Sequence, residues 1–376
     1  MDTKSNDTIC SKTWTDLNID LSKQIFFFCC KAKTEKLKSL KLNDIINAPG
    51  ITQRRLDSLK GIKNAQCEYC WKTNSAYRRI HNKQIQVPNN PLDGIEFIEL
   101  TLENTCNLSC LYCSAPYSST IAKEQGVEHI YKQVEYDVNE ICEILIPIIK
   151  KRKIYFNLVG GEPTMSKFYY KLIEKLIEQV PNSNLTFITT SNGDMPINLR
   201  NRLSEYMNKT NWEWVWGFSG ESAGEVFNHI RFNANYERWL DNIKFFSEHN
   251  KTKAIAFNPA VNSLCIKTFP QYIKDILEIT KHREYVINGN YVAEPDEFCI
   301  SNLDKSFTTY IQQARQNFLE NSQNCLNKES VVTWFNELEN MLGTADQKSN
   351  IFLRLNTLNK QKQNKLNVNL LLEQIE

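Results

Sequence analysis

The chain has 376 residues with a formal net charge of +2, 41% hydrophobic and 23% charged, a composition ordinary for a globular protein that gives no basis for a nucleic-acid or anionic-membrane partner. That length holds one large domain with an appended module. No apolar run is long enough to span a bilayer, and Met1–Asp7 lacks the apolar core of a secretory signal, so a cytoplasmic location with reduced thiols is expected.

Of the 12 cysteines, eight lie before residue 114, which favours metal sites toward the N-terminus. Cys10 precedes Thr13–Leu21, where Leu17, Ile19 and Leu21 alternate with polar residues as in a half-buried strand. Ser22-Lys23 reads as a turn and Gln24–Cys30 as a returning strand rich in β-formers. Such a hairpin brings Cys10 and Cys29 to one open end, on strands about 5 Å apart. Cys30 is an alternative to Cys29, because a one-residue shift reverses the face a side chain occupies. Arg54, Arg55, Leu56 and Leu59 belong to a predicted helix. Cys67-Glu-Tyr-Cys70 then supplies a C-x2-C pair, whose short turn suits two ligands of one metal. Four thiolates from Cys10, Cys29, Cys67 and Cys70 suit zinc or an iron–sulfur cluster equally. Gln86–Gly94 is a turn-rich connector with two prolines. It divides a module at 1–90 from a core at 91–303, which a C-terminal extension follows at 304–376.

From Ile95 onward strands alternate with helical stretches, the pattern of an α/β domain with parallel strands. Ile95–Glu103 is a first strand and runs into Cys106-Asn-Leu-Ser-Cys110-Leu-Tyr-Cys113. Three thiolates at C-x3-C-x2-C can hold three irons of a [4Fe–4S] cube and leave the fourth without a protein ligand. An open position of that kind separates a catalytic metal from a structural one. Tyr136–Lys151 is a helix, with Pro147 set to kink its last turn. Ile154–Val159 is a second strand, ending in Gly160-Gly161-Glu162-Pro163 before a helix over Ser166–Gln179. Leu185–Thr190 ends in Ser191-Asn192-Gly193, and Trp212–Phe218 in Ser219-Gly-Glu221. Ala254–Val261 and Glu284–Asn288 are the fifth and sixth strands. Parallel α/β sheets place chemistry at the carboxyl ends of strands, and each of these motifs falls at such an end. Trp212, Trp214 and Trp216 alternate on one strand and read as core. The five histidines show no metal-ligand spacing, and Cys265 and Cys299 read as inert thiols.

The cysteine loop, followed about one β/α unit later by Gly160-Gly-Glu-Pro163, resembles the signature of radical S-adenosylmethionine (SAM) enzymes. The resemblance implies a partial (β/α)6 TIM-like barrel. It also implies a [4Fe–4S] cluster on Cys106, Cys110 and Cys113, with SAM chelating the open iron. Tyr112 takes the position of an aromatic beside the adenine, and Gly160, Gly161 and Glu162 that of the GGEP motif holding the SAM amino group. Ser191-Asn-Gly193 resembles the family's T-N-G. Ser219 and Glu221 resemble its ribose-binding motif, with Glu where Asp is common, and Arg231 an arginine that pairs with the SAM carboxylate. Asn258 to Asn262 would border the adenine.

The order of the N-terminal cysteines resembles the twitch domain, which carries a second, auxiliary [4Fe–4S] cluster, here placed before the barrel. The order also resembles a subgroup with Cys-Trp just upstream of the SAM-cluster loop. Trp71-Lys-Thr-Asn-Ser75 and Ser22-Lys23 depart from that subgroup, where a Glu and a Gly often follow Cys-Trp and a Gly fills the hairpin turn. The auxiliary cluster would accept or supply an electron when a substrate radical resolves. In the extension, Leu303–Asn317 and Ser330–Leu342 read as amphipathic helices able to close the open side of the barrel. The expected activity is reductive cleavage of SAM to a 5′-deoxyadenosyl radical that removes a hydrogen atom from substrate, with a flavodoxin or ferredoxin as reductant. Peptide modification is favoured over oxidation of a small alcohol. The competing reading is a non-catalytic zinc or iron–sulfur protein. No basic, aromatic-rich tract marks a nucleic-acid substrate.

Overall fold

The structure, a computed structural model, describes residues 8–29, 31–73, 87–131, 136–345 and 350–376. Cys30, Asn74-Ser75 and His81 lie outside the described residues. Short runs of β-branched and aromatic residues form the strands: β1 (Asp16–Asp20), β2 (Ile25–Phe27), β3 (Glu35–Lys36), β4 (Phe97–Thr101), β5 (Ile154–Val159), β6 (Leu185–Ser191), β7 (Glu213–Phe218), β8 (Thr252–Phe257), β9 (Ala260–Val261), β10 (Tyr285–Ile287) and β11 (Asn290–Tyr291). The main sheet runs β10-β8-β7-β6-β5-β4-β1-β2-β3. From β4 to β10 all pairings are parallel. Helices Val138–Ile149, Lys167–Gln179, Ile197–Asn208, Tyr236–Glu248 and Phe269–Ile279 connect these strands. This mixed α/β fold with a parallel sheet is consistent with the partial barrel expected.

The helix at Lys167–Gln179 shows how the local sequence sets its place. Ser166 caps its start by accepting from the Tyr169 N–H, a bond worth about 1 kcal/mol. Tyr169, Tyr170, Leu172, Ile173 and Leu176 form its buried stripe, spaced three and four apart as one helical face demands. Pro147 lies on the exposed side of Val138–Ile149, two residues before that helix ends.

Two elements differ from the sequence expectation. The strand at Leu17–Leu21 is fully buried rather than half-buried. β1 is an interior strand, antiparallel to β2 on one side and parallel to β4 on the other. Its polar residues are satisfied locally: Asp16 by Lys12 and Thr15, Asp20 by Ser22 and the Lys23 N–H. The run Ala254–Val261 is broken in two. Pro259 has no N–H for the ladder, so β8 stops at Phe257 and β9 pairs with β11 in a separate two-stranded sheet.

The core is aromatic. Trp212, Trp214 and Trp216 are at most 2% exposed, and Trp216 stacks on Phe246 with ring centroids 4.0 Å apart. In the extension, Thr308–Asn321 packs on Phe269–Ile279. The segment after it covers the open edge of β10: Asn327 accepts from the Ile287 N–H and donates to the Ile287 carbonyl, while Cys325 bridges to Tyr285. An edge strand left bare would invite pairing with another chain. Among the described residues no helix is long and apolar enough to cross a membrane.

Candidate active site

Because β4 to β10 are parallel and in register, their carboxyl ends share one edge of the sheet, and the loops after β4, β5, β6 and β7 meet there. The cysteine loop leaves β4 and is held from three sides. Its Ser109 and Leu111 N–H groups donate to the carbonyls of Phe232 and Ile230. The Cys106 carbonyl accepts from Thr120 Oγ1 at 2.6 Å, and the Cys106 N–H donates to Ser119 Oγ. Asn107 donates to Asp194 and accepts from Asn192 Nδ2 at 2.9 Å.

Burial pushes the Cys106 thiol up to about 12 and raises those of Cys110 and Cys113. Negative charge on Cys106 and Cys113 raises Cys110 further, so the thiols are near enough to feel one another. As they stand they face donors and acceptors of their own loops: Cys106 Sγ accepts from the Leu108 N–H, and Cys113 donates to the Ser114 carbonyl. Among the described residues no three His, Cys, Asp or Glu side chains are already set as ligands of one ion. The donor set nevertheless fits a cluster with one open iron: three soft thiols in one loop, whose protons a metal must displace.

The Gly160–Glu162 loop lies directly on this one. Gly161 N–H donates to the Glu103 carbonyl at 2.8 Å and Glu162 N–H to Thr105 at 2.7 Å. A Cβ on Gly161 would sit 2.6 Å from the carbonyl oxygens of both Asn104 and Thr105. These glycines therefore admit the backbone of the cysteine loop itself, a tighter constraint than approach to a ligand alone. Pro163 opens a short 3-10 turn, Pro163–Met165, ahead of the helix that Ser166 caps.

The Glu162 carboxylate is buried and accepts four hydrogen bonds, from Thr164 N–H and Oγ1, Ser191 Oγ (2.9 Å) and the Asn192 N–H (2.5 Å). Burial raises its pKa, and those bonds oppose the rise. It thus ties the end of β5 to the Ser191-Asn192-Gly193 turn, in which Gly193 adopts φ +77° beneath Trp239. Ser219 donates its N–H to the Ser191 carbonyl, continuing the same edge. Glu221 and Arg231 form a buried ion pair, with Arg231 Nη2 2.6 Å from Glu221 Oε2. Tyr112 Oη donates to the other Glu221 oxygen at 3.0 Å. Tyr112, Glu221 and Arg231 are therefore one unit, and Arg231 already has a carboxylate partner inside the chain. Asn258 donates its N–H to Phe218, and its side chain accepts from Asn288. Cys265 is buried, and Cys299 accepts from Ser301.

The four N-terminal cysteines come together elsewhere. Cys10, Cys29, Cys67 and Cys70 line one cavity with Arg54 and Trp71. Burial pushes the Cys10 thiol up, and charge on Cys67 and Cys70 pushes the same way. Asp16 of β1 pairs with Phe97 of β4, so Cys10 stands at the amino edge of the sheet. The five-residue strand between the two edges spans about 17 Å.

Two features had no mark in the sequence. Asp194, buried just past the Ser-Asn-Gly turn, takes a two-pronged contact from Arg238 (2.8 and 2.7 Å) and orients Asn107. Lys362, from the end of the Ile351–Gln361 helix, is 4% exposed and reaches the cysteine loop. Its ammonium donates to Ser109 Oγ, pairs with Glu124 at 3.1 Å and lies 4.8 Å from the Phe232 ring centroid. Lys362→Met should cost about 1.5–3 kcal/mol, the range for charge-assisted hydrogen bonds. Urea unfolding, together with faster proteolysis within residues 351–376, will measure it.

A sequence model of the Radical SAM superfamily matches residues 101–264, the segment that holds the cysteine loop and the strand ends just described. The chain is 24% identical over 202 residues to the radical SAM cyclopropyl synthase TigE of Paramaledivibacter caminithermalis, covering 50% of this chain and 40% of that protein. The chain therefore spans well under half the length of this curated relative. Among solved structures it is similar to Streptococcus suis SuiB bound to S-adenosylmethionine (TM-score 0.42, 13% identity, 82% of this chain and 69% of that one). SuiB bound to its precursor peptide SuiA gives TM-score 0.44 at 12% identity, over 82% and 70% of the two chains. The Radical SAM superfamily match thus runs from Thr101, at the end of β4, through the three thiols and the loops that surround them.

Proposed function

We propose that the chain cleaves SAM reductively and directs the resulting radical at a peptide side chain. The observation that carries the SAM reading is the arrangement of Cys106, Cys110 and Cys113. They occupy one loop at the carboxyl edge, clamped by the Gly160–Glu162 backbone, and the chain supplies no fourth thiol in that loop. Cys106, Cys110 and Cys113 would hold three irons, leaving the fourth for the amino and carboxylate groups of SAM. When bound, the cluster would pass one electron from the reductant to the SAM sulfonium, and breaking the C5′–S bond would give methionine and a 5′-deoxyadenosyl radical able to take a hydrogen atom from substrate. Gly160, Gly161 and Glu162 fix the height of the loop over the sheet. Ser191 and Asn192 hold the Glu162 carboxylate in place, and Ser219 continues that edge toward the ribose. Tyr112 is oriented by Glu221 and Arg231 to flank the adenine. A flavodoxin or ferredoxin is the proposed reductant.

Cys10, Cys29, Cys67 and Cys70 are proposed to hold an auxiliary [4Fe–4S] cluster in a twitch-like module. Its position at the amino edge supports a role in electron supply or in ordering the module, away from the SAM side. The peptide substrate is supported by the resemblance of the N-terminal cysteine order to twitch-bearing enzymes. The relative named as a cyclopropyl synthase is consistent with radical chemistry on carbon.

Anaerobic reconstitution should yield roughly eight irons per chain, as two cubes of four, with negligible zinc and with 5′-deoxyadenosine formed from SAM and a reductant. Cys67→Ala/Cys70→Ala should lose about four irons and keep SAM cleavage, because the two sites lie at opposite edges. Loss of cleavage in that variant would contradict the separation. The substrate reading is tested with short peptides encoded beside the gene. A mass change in a peptide supports it, and turnover of small alcohols alone overturns it.

A further inference from the structure

The helix Pro49–Leu59 carries two adjacent arginines into the interior: Arg54 is 1% exposed and Arg55 4%. Arg55 is accounted for by its surroundings at two of its three nitrogens, Nη2 alone lacking a hydrogen-bond partner among the described residues. Nε donates to the Thr13 carbonyl (3.2 Å) and Nη1 to the Ile46 carbonyl (2.7 Å), and the guanidinium stacks between Phe28 and Trp14. Arg54 is not. Its Nε, Nη1 and Nη2 have no hydrogen-bond partner among the described residues, and neither arginine has a carboxylate partner among those residues. Burial, and then the neighbouring Arg54 charge, lower Arg55 to about 10, so the pair repels as it stands. An ion buried without a partner costs several kcal/mol, and five unsatisfied N–H donors add to that cost. A fold does not retain such a group without a countercharge.

The cavity that Arg54 lines holds Cys10, Cys29, Cys67 and Cys70. Four thiolates around zinc carry a net charge of about −2, and around a [4Fe–4S] cube the centre is likewise anionic. Thiolate and sulfide sulfurs accept hydrogen bonds, and such bonds set a cluster's potential and retention. We propose that Arg54 is the charge partner of the metal centre held by Cys10, Cys29, Cys67 and Cys70, its guanidinium donating to the sulfurs of that centre. This rests on the reading of those cysteines as one metal site. It adds a positioning residue that no ligand spacing reveals. A cation there favours the more negative, reduced state of the centre, so Arg54 raises its reduction potential.

The test compares Arg54→Met with Arg54→Lys in reconstituted full-length protein and, in parallel, in the Cys67→Ala/Cys70→Ala background. In the loaded protein, Arg54→Met should release metal to a chelator at roughly ten- to hundredfold lower chelator concentration and shift the midpoint of the N-terminal centre downward in an EPR-monitored titration. Arg54→Lys should recover part of both. In the cysteine-depleted background the sign should reverse. There Arg54→Met should raise the melting temperature, because it removes a buried charge whose partner is gone. Unchanged retention and midpoint in the loaded protein, or the same direction of stability change in both backgrounds, would overturn the proposal. If the unsubstituted protein holds zinc at this site, the auxiliary-cluster reading falls, and the chelator and melting comparisons still decide Arg54. If it holds no metal there, both fall.

Discussion

Replacing Cys106, Cys110 and Cys113 with alanine should abolish formation of 5′-deoxyadenosine from SAM and remove about four irons, while the iron proposed at the N-terminal site should remain. Iron analysis and product chromatography on the reconstituted variant read both quantities. The expected loss is complete, because the loop offers no other thiol and the carboxylates beside it are already engaged. Glu162 is bonded to Thr164, Ser191 and Asn192, Glu221 to Arg231 and Tyr112, and Glu124 to Ser109 and Lys362. Cleavage in the triple variant at the unsubstituted rate would remove the loop from the chemistry.

The second large effect is on stability. Arg231→Met should lower the free energy of unfolding by about 3–5 kcal/mol, since breaking a buried ion pair leaves an uncompensated charge. Glu221 is fully buried and, among the described residues, would keep only the Tyr112 hydroxyl as a hydrogen-bond partner. Glu221→Gln added to Arg231→Met should restore a substantial part of that loss. Denaturant unfolding without SAM is the decisive condition. If Arg231 served only to receive a ligand carboxylate, its removal would cost little in the absence of that ligand and would appear in SAM binding alone.

How much of this was legible beforehand follows from the range of the interactions. β5 was placed residue for residue, because Ile154–Val159 is a dense run of β-formers between a helix and Gly160-Gly161. The helix after it was found to within one residue, because Ser166 is an N-cap that precedes an apolar stripe. The cysteine loop was legible as a motif because its three thiols are local, within eight residues. The parallel pairing of β1 with β4 joins residues about eighty positions apart, and hydrophobic alternation carries no information about which strand lies alongside. That is why a half-buried strand was expected where an interior one is found. Pro259 could have signalled the break between β8 and β9, had its missing N–H been weighed against the apolar run. Lys362 reaches Ser109 across 253 positions, from a tail segment whose composition resembles a solvated surface. The carboxylates of the strand ends were recognised by motif, but their partners were not, because a motif names a residue and not what it bonds. Glu162 holds two loops together, and Arg231 is closed on Glu221.

The central claim is that one iron of the cluster on Cys106, Cys110 and Cys113 is left for SAM. The most direct test is EPR of the reduced Cys67→Ala/Cys70→Ala protein, which isolates that cluster, before and after addition of SAM. The account predicts a single [4Fe–4S] signal whose g-values shift when SAM is added, as the open iron takes up its amino and carboxylate groups. A zinc ion in place of the cluster, or a signal that SAM leaves unchanged, would contradict it.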